Sequence, residues 1–170
     1  MTVTNVHKDP EHLTFFITAE FDVPTERVWR LWADPRQLER WWGPPTYPAT
    51  FVEHDLTPGG TVTYYMTGPE GDQHYGWWRV LTVEAPNRLE FEDGFADDAG
   101  NPISDMPTTM ATVTIDATES GATRMTISSV FPSLEAMEQL VEMGMEEGMA
   151  QAIGQIDTLL AETVQPGVGA

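Results

Sequence analysis

The chain has 170 residues, a length that suits one domain with its own core. Its 27 acids against 8 bases give a formal charge of −19, a field that repels phosphate backbones and anionic lipid and argues against nucleic-acid binding. The absence of cysteine excludes disulfides, thiolate metal sites and a cysteine nucleophile.

Residues 1–11 are polar and read as an N-terminal arm. They lack a basic start followed by an apolar run, and no stretch of the chain nears the ~20 apolar residues of a membrane span. A cytoplasmic protein with no membrane insertion is therefore expected. The domain proper reads as residues 12–163, and residues 164–170, rich in Gly and Pro, read as a flexible tail.

The segment "LTFFITAEFDV", Leu13 to Val23, is rich in aromatic and β-branched residues and predicts a strand. Pro24 fits the first position of a helix, and Val28, Leu31 and Trp32 follow at helical spacing. Asp34-Pro35-Arg36-Gln37 starts a second short helix, with Asp34 as N-cap and Gln37 placed to reach back to it. Leu38, Trp41 and Trp42 form its apolar side, and Gly43-Pro44-Pro45 ends it. The indole pair is expected over a cavity mouth, one ring inward and one at the rim.

From Ala49 the period changes to two. The strands "ATFVEHDL", "TVTYYM", "HYGWWRVLTVEA", "RLEFEDGF", "TTMATVTIDAT" and "ATRMTISSVF" follow, most joined by short turns such as Thr57-Pro58-Gly59-Gly60. Such connections predict an antiparallel meander. Pro132-Ser133 then opens a helix expected to run unbroken to about Glu162, roughly 45 Å. The order predicts an α+β fold: a curved antiparallel sheet of six to seven strands wrapped around a long C-terminal helix, with two short helices after the first strand. A helix laid across a curved sheet leaves concave apolar space of the kind that binds small ligands.

The segments "FDVPTERVWRLWADPRQLERWWGPP", "DLTPGGTVTYYMTGPEG", "APNRLEFEDGF" and "GMEEGMAQAIGQIDTLL" carry a family resemblance that spans Leu13 to about Glu162. The chain resembles the helix-grip proteins of the START-like, or SRPBCC, superfamily. Within it, the chain is similar to bacterial relatives of the activator of the heat-shock-protein-ninety ATPase. The resemblance implies a helix-grip fold with a cavity. It also implies binding of lipids, hormones or polyketides, with cyclase or dehydratase activity in a few members. Relatives often carry tryptophan in the end helix where this chain has Met149.

Alternation places Val62, Tyr64 and Met66 on one face, with Leu89 and Phe91, Ala111, Val113 and Ile115, and Met125 and Ile127 on theirs. These faces are assigned inward. Trp78 joins them if Gly76, Trp78 and Val80 form the inner face, whereas a bulge would substitute Trp77. The ligand-facing set is expected to be Trp42, Tyr64, Met66, Trp78, Phe91, Val113, Met125, Met145 and Met149. Gly144 and Gly148, four apart among methionines, suggest room beside the end helix.

No cofactor or metal is expected: His7, His12, His54 and His74 have no partner at a metal-ligand spacing. The serines lie in no nucleophile elbow. Asp93 and Asp105 are candidates for acid–base work only if they face an apolar cavity, where a carboxyl would hold its proton. Otherwise they belong to a solvated acidic loop. The sequence thus predicts binding of a small hydrophobic molecule. The alternatives are a cyclase or dehydratase acting on such a molecule, and an accessory protein of a chaperone ATPase. Exposed strand edges permit a homodimer as well as a monomer.

Overall fold

The computed structural model describes residues 3–163. One eight-stranded antiparallel sheet runs in the order β1-β2-β8-β7-β6-β5-β4-β3. Its strands are β1 (Val3–Asp9), β2 (Thr14–Phe21), β3 (Ala49–His54), β4 (Thr61–Thr67), β5 (Gln73–Glu84), β6 (Arg88–Ala96), β7 (Thr109–Ala117) and β8 (Thr123–Val130). Helices α1 (Thr25–Ala33) and α2 (Pro35–Trp41) lie between β2 and β3, and α3 (Leu134–Glu142), α4 (Met145–Gly154) and α5 (Ile156–Thr163) follow β8. The described part of the expected architecture is present, an α+β sheet closed by C-terminal helices.

Three features differ from expectation. The polar arm is strand β1, paired with β2 from Val3 opposite Ala19 to Asp9 opposite Thr14. The sheet therefore has eight strands rather than six or seven. Residues 5–8 of β1 are exposed. A strand held by backbone hydrogen bonds at a solvated edge carries no hydropathy period, so composition alone reads as an arm. The end helix is not continuous. Gly144 has φ +90°, a left-handed conformation that ends α3 before α4 begins. A second, milder interruption falls at Gln155, which keeps right-handed helical dihedrals. The expected tail lies outside the described residues.

Local chemistry explains the elements that were expected. Along β2, Phe15, Ile17, Ala19 and Phe21 are buried in alternation. The Asp34 carboxylate accepts from the Arg36 N–H at 2.9 Å and from Gln37 Nε2 at 3.2 Å, fixing the start of α2. At the turn after β3 the Gly60 N–H donates to the Thr57 carbonyl, and Gly59 takes φ +85° as a type II turn requires. Across the β5–β6 ladder Trp78 faces Asp93 and Val80 faces Phe91. Trp78 and Val80 are fully buried while Trp77 is half-buried on the other side, packed over Gly94. The only register shift in that ladder comes after Val80, too late to turn Trp77 inward.

The core fills the concave face of the sheet. Trp32 on α1 donates its indole N–H to Met125 Sδ on β8 at 3.4 Å, and α1 packs on β7 and β8. Trp32 also meets Trp41 edge to face at 4.8 Å. The two short helices thus occupy one part of the concavity. The C-terminal helices cover the rest.

Candidate binding cavity

Between the sheet and the C-terminal helices lies a cavity of about 340 Å³. Pockets for small molecules run to roughly 300–1,000 Å³, so it is at the small end of that range. Its wall draws on the end of α2, on β4, β6, β7 and β8, and on α3 and α4.

Of the nine residues expected to face a ligand, Trp42, Tyr64, Met66, Met145 and Met149 line this cavity. The other four do not. Trp78, Phe91, Val113 and Met125 are 0–1% exposed and packed behind the wall. Trp78 stacks on Phe91 at 4.1 Å and meets the wall residues Trp42 and Tyr64 at 5.0 and 6.3 Å. The physical reason is the placement of α1. Alternation identifies the inner face of each strand, but Trp32 already covers the part of that face holding Phe91 and Met125.

Both indoles of the Trp41-Trp42 pair turn inward, at 1% and 9% exposure, so neither serves as an exposed rim. Trp41 is held by its N–H donating to the Leu31 carbonyl at 3.0 Å. The loop after it is tied to the last helices by Gln155, whose amide donates to the Gly43 carbonyl at 2.7 Å. Further wall residues include Phe95, Thr109, Ile127, Leu140, Met143 and Ile153. Phe95 continues the two-residue period of Leu89 and Phe91, and Ile127 that of Met125, so these two were within reach of the pattern. Gly148 also lies on the wall, and the position of its absent Cβ has no atom within 4 Å. The space expected beside the end helix is there at Gly148. Gly144 serves the helix break instead.

The wall is apolar except for a short polar segment. Asp93 follows Leu89 and Phe91 on the inner face of β6 and, half-buried, lines the cavity together with Tyr64 and Thr109. Enclosure by protein pushes the Asp93 carboxyl up to about 7, and the neighbouring Tyr64 hydroxyl offsets part of that rise. Burial, with the Asp93 charge second, holds the Tyr64 phenol well above its ordinary range. The indole N–H groups of Trp42 and Trp78 are buried without a hydrogen-bond partner. Both lie near enough to the Tyr64 oxygen to favour its ionised form, yet neither reaches hydrogen-bonding geometry. Asp105 behaves differently. It is exposed in a shallow surface depression with Ser104, Ser133 and Glu135, and does not reach the cavity.

Among the described residues, one group brings potential metal ligands within 4.8 Å of one another: Asp9, Glu11 and His12. It sits near the β1–β2 turn, where His12 Nδ1 is 2.7 Å from Asp9 Oδ2. Exposed acidic groups of this kind are common without an ion. No described helix is long and apolar enough to cross a membrane.

The chain can be set beside known proteins. The solution structure of a protein from Arthrobacter aurescens is 56% identical and superposes with a TM-score of 0.90, covering 96% of this chain and 95% of that one. The crystal structure of a Mycobacterium smegmatis protein is 49% identical, with a TM-score of 0.86 over 93% of this chain and 96% of the other. A Staphylococcus epidermidis protein at 26% identity keeps a TM-score of 0.81 over 95% and 96% of the two chains. A comparison with curated proteins finds no match. The family model described as Activator of Hsp90 ATPase homolog 1-like protein matches residues 22–161, and the chain belongs to that family.

Proposed function

We propose that the protein binds a small, largely apolar molecule in the cavity between its sheet and C-terminal helices. The observation that carries this reading is the cavity itself, about 340 Å³ with a wall formed mainly of aromatic, aliphatic and methionine side chains. Burying a ligand there removes apolar surface on both sides from water, at about 25 cal/mol per Å² before the costs of ordering. The methionines from α3 to α4 can adjust their shape around different apolar bodies.

The test is native mass spectrometry of freshly purified protein, followed by denaturation and identification of any released species. A stoichiometric small-molecule adduct lost on denaturation is the expected result. Protein free of any adduct, and failing to take one up from a hydrophobic extract, contradicts the reading.

A cyclase or dehydratase acting on such a ligand stands second. Asp93 on the wall supplies the inward ionisable group that this reading requires, close to neutrality and beside a phenol. It ranks behind simple binding because the wall brings no Lys, Arg, His, Ser or Cys to work with Asp93. The accessory-protein reading rests on the family's description alone.

A further inference from the structure

The polar segment of the cavity wall deepens the binding reading and rests on it. Asp93 and Tyr64 are the titratable residues on the wall, and no Lys, Arg or His joins them there. Asp93 takes part in none of the ion pairs formed by the described residues. Its polar neighbours are hydrogen-bond donors without charge: the Tyr64 hydroxyl, Thr109 across the β6–β7 ladder, and the unpartnered indole N–H groups of Trp42 and Trp78 beside Tyr64. The rest of its surroundings are apolar wall and cavity. What a half-buried carboxylate lacks in this setting is a positive charge.

We propose that the cavity takes a molecule with an apolar body and a single cationic nitrogen, held by the Asp93 carboxylate and the Tyr64 hydroxyl. A head group made only of acceptors, such as a ketone or a carboxylate, meets Asp93 with lone pairs against lone pairs. A hydroxyl head supplies one donor. A protonated amine supplies both donors and the missing charge, and its bond to a carboxylate is of the stronger, charge-assisted kind. The whole-protein field acts in the same direction, since a net charge of −19 raises the local concentration of cations and lowers that of anions.

Proton linkage gives this assignment a signature that packing does not share. The residues facing Asp93 are Trp78 on β5 and Thr109 on β7 across the ladders, Tyr64 on β4, and Met145 and Met149 of α4 across the cavity. Of these only Tyr64 titrates, and its phenol stays protonated throughout the neutral range. Below about pH 7 Asp93 holds a proton that an incoming ammonium must displace. Amine binding therefore weakens as pH falls through that value and releases a proton, which calorimetry detects as a heat that depends on the buffer.

The experiment uses three probes with one apolar body, phenylbutylamine, phenylbutanol and phenylbutyrate, titrated into the full chain by calorimetry at about pH 8 and about pH 6. At the higher pH the amine is expected to bind about tenfold more tightly than the alcohol, with the acid weakest. Asp93→Asn is expected to bring the amine down to the level of the alcohol. Amine and alcohol affinities within twofold of each other overturn the cationic head while leaving the cavity reading intact. So do a preference for the acid and an amine preference that survives Asp93→Asn. Failure of all three probes to bind removes both readings. If Asp93→Asn does not fold, the unsubstituted protein decides: an amine affinity that does not change between the two pH values overturns the proposal.

Discussion

Tyr64 lies directly over Gly76 on the neighbouring strand, so close that a Cβ on Gly76 would stand 2.4 Å from both the phenolic oxygen and the ring carbon bearing it. The inward pose of Tyr64, and with it the Tyr64–Asp93 pair, depends on the missing side chain at Gly76. Gly76→Ala is expected to push the ring towards the cavity. It should destabilise the protein by about 1–3 kcal/mol, as overpacking does, and weaken ligand binding. Urea melts and a ligand titration check both effects. Tyr64→Phe should not rescue stability, because the ring carbon collides as closely as the oxygen.

Asp93 makes stability depend on pH with an unusual sign. In the folded protein it keeps its proton to about pH 7, while an unfolded chain loses it near 3.8. Between those values the folded state binds more protons, so stability falls as pH rises. Asp93→Asn cannot ionise. It should match the unsubstituted protein near pH 4 and exceed its stability at about pH 8, by on the order of 2–4 kcal/mol. Equal denaturation midpoints for the two proteins at both pH values would contradict a buried Asp93.

The two glycines in the C-terminal helices should answer oppositely to alanine. Gly144 has φ +90°, which costs an L-residue roughly 1–2 kcal/mol, so Gly144→Ala is expected to lower the midpoint of unfolding. Gly148 is a helical residue with nothing within 4 Å of its Cβ position. Gly148→Ala should therefore raise stability by up to about 1 kcal/mol. Chemical denaturation of the two single variants is sufficient, and a gain in stability with Gly144→Ala would show that the helix is not broken at Gly144.

Met149→Trp places a large ring at a position on the cavity wall. If the space is available to a ligand, the indole should fill it. Affinity for an apolar probe should fall at least about tenfold while Tm stays the same or rises. A fall in Tm with binding unchanged would mean that Met149 is core packing and that the ligand sits elsewhere.

The sequence carried the helix pair and the strand faces clearly, because each is written in short-range chemistry. Asp34, Pro35 and Gln37 mark one helix start, and alternation along β4 puts Tyr64 and Met66 on one face, where both line the cavity. What was not legible depends on contacts between distant segments. Strand β1 shows no period because backbone pairing at an exposed edge leaves no mark on hydropathy. The alternation that puts Tyr64 inward puts Trp78, Phe91, Val113 and Met125 inward as well, and these four are packed behind the cavity wall. Strand pattern does not reveal that Trp32 of α1 packs against Trp78, Phe91 and Met125. The sequence marks Asp93 as an acid–base candidate only on condition that it faces the cavity, and whether that condition is met depends on which neighbours the fold provides.

The central claim is that the space beneath α4 is a binding site, and methyl NMR of methionine-labelled protein tests it most directly. Met66, Met143, Met145 and Met149 line the cavity, whereas Met125 is fully buried behind it and Met110 is exposed elsewhere. Titration with phenylbutylamine should shift the four cavity methyls in a saturable way and leave Met110 and Met125 nearly still. Unmoved cavity methyls at saturating probe, or shifts centred on Met110, would contradict the account.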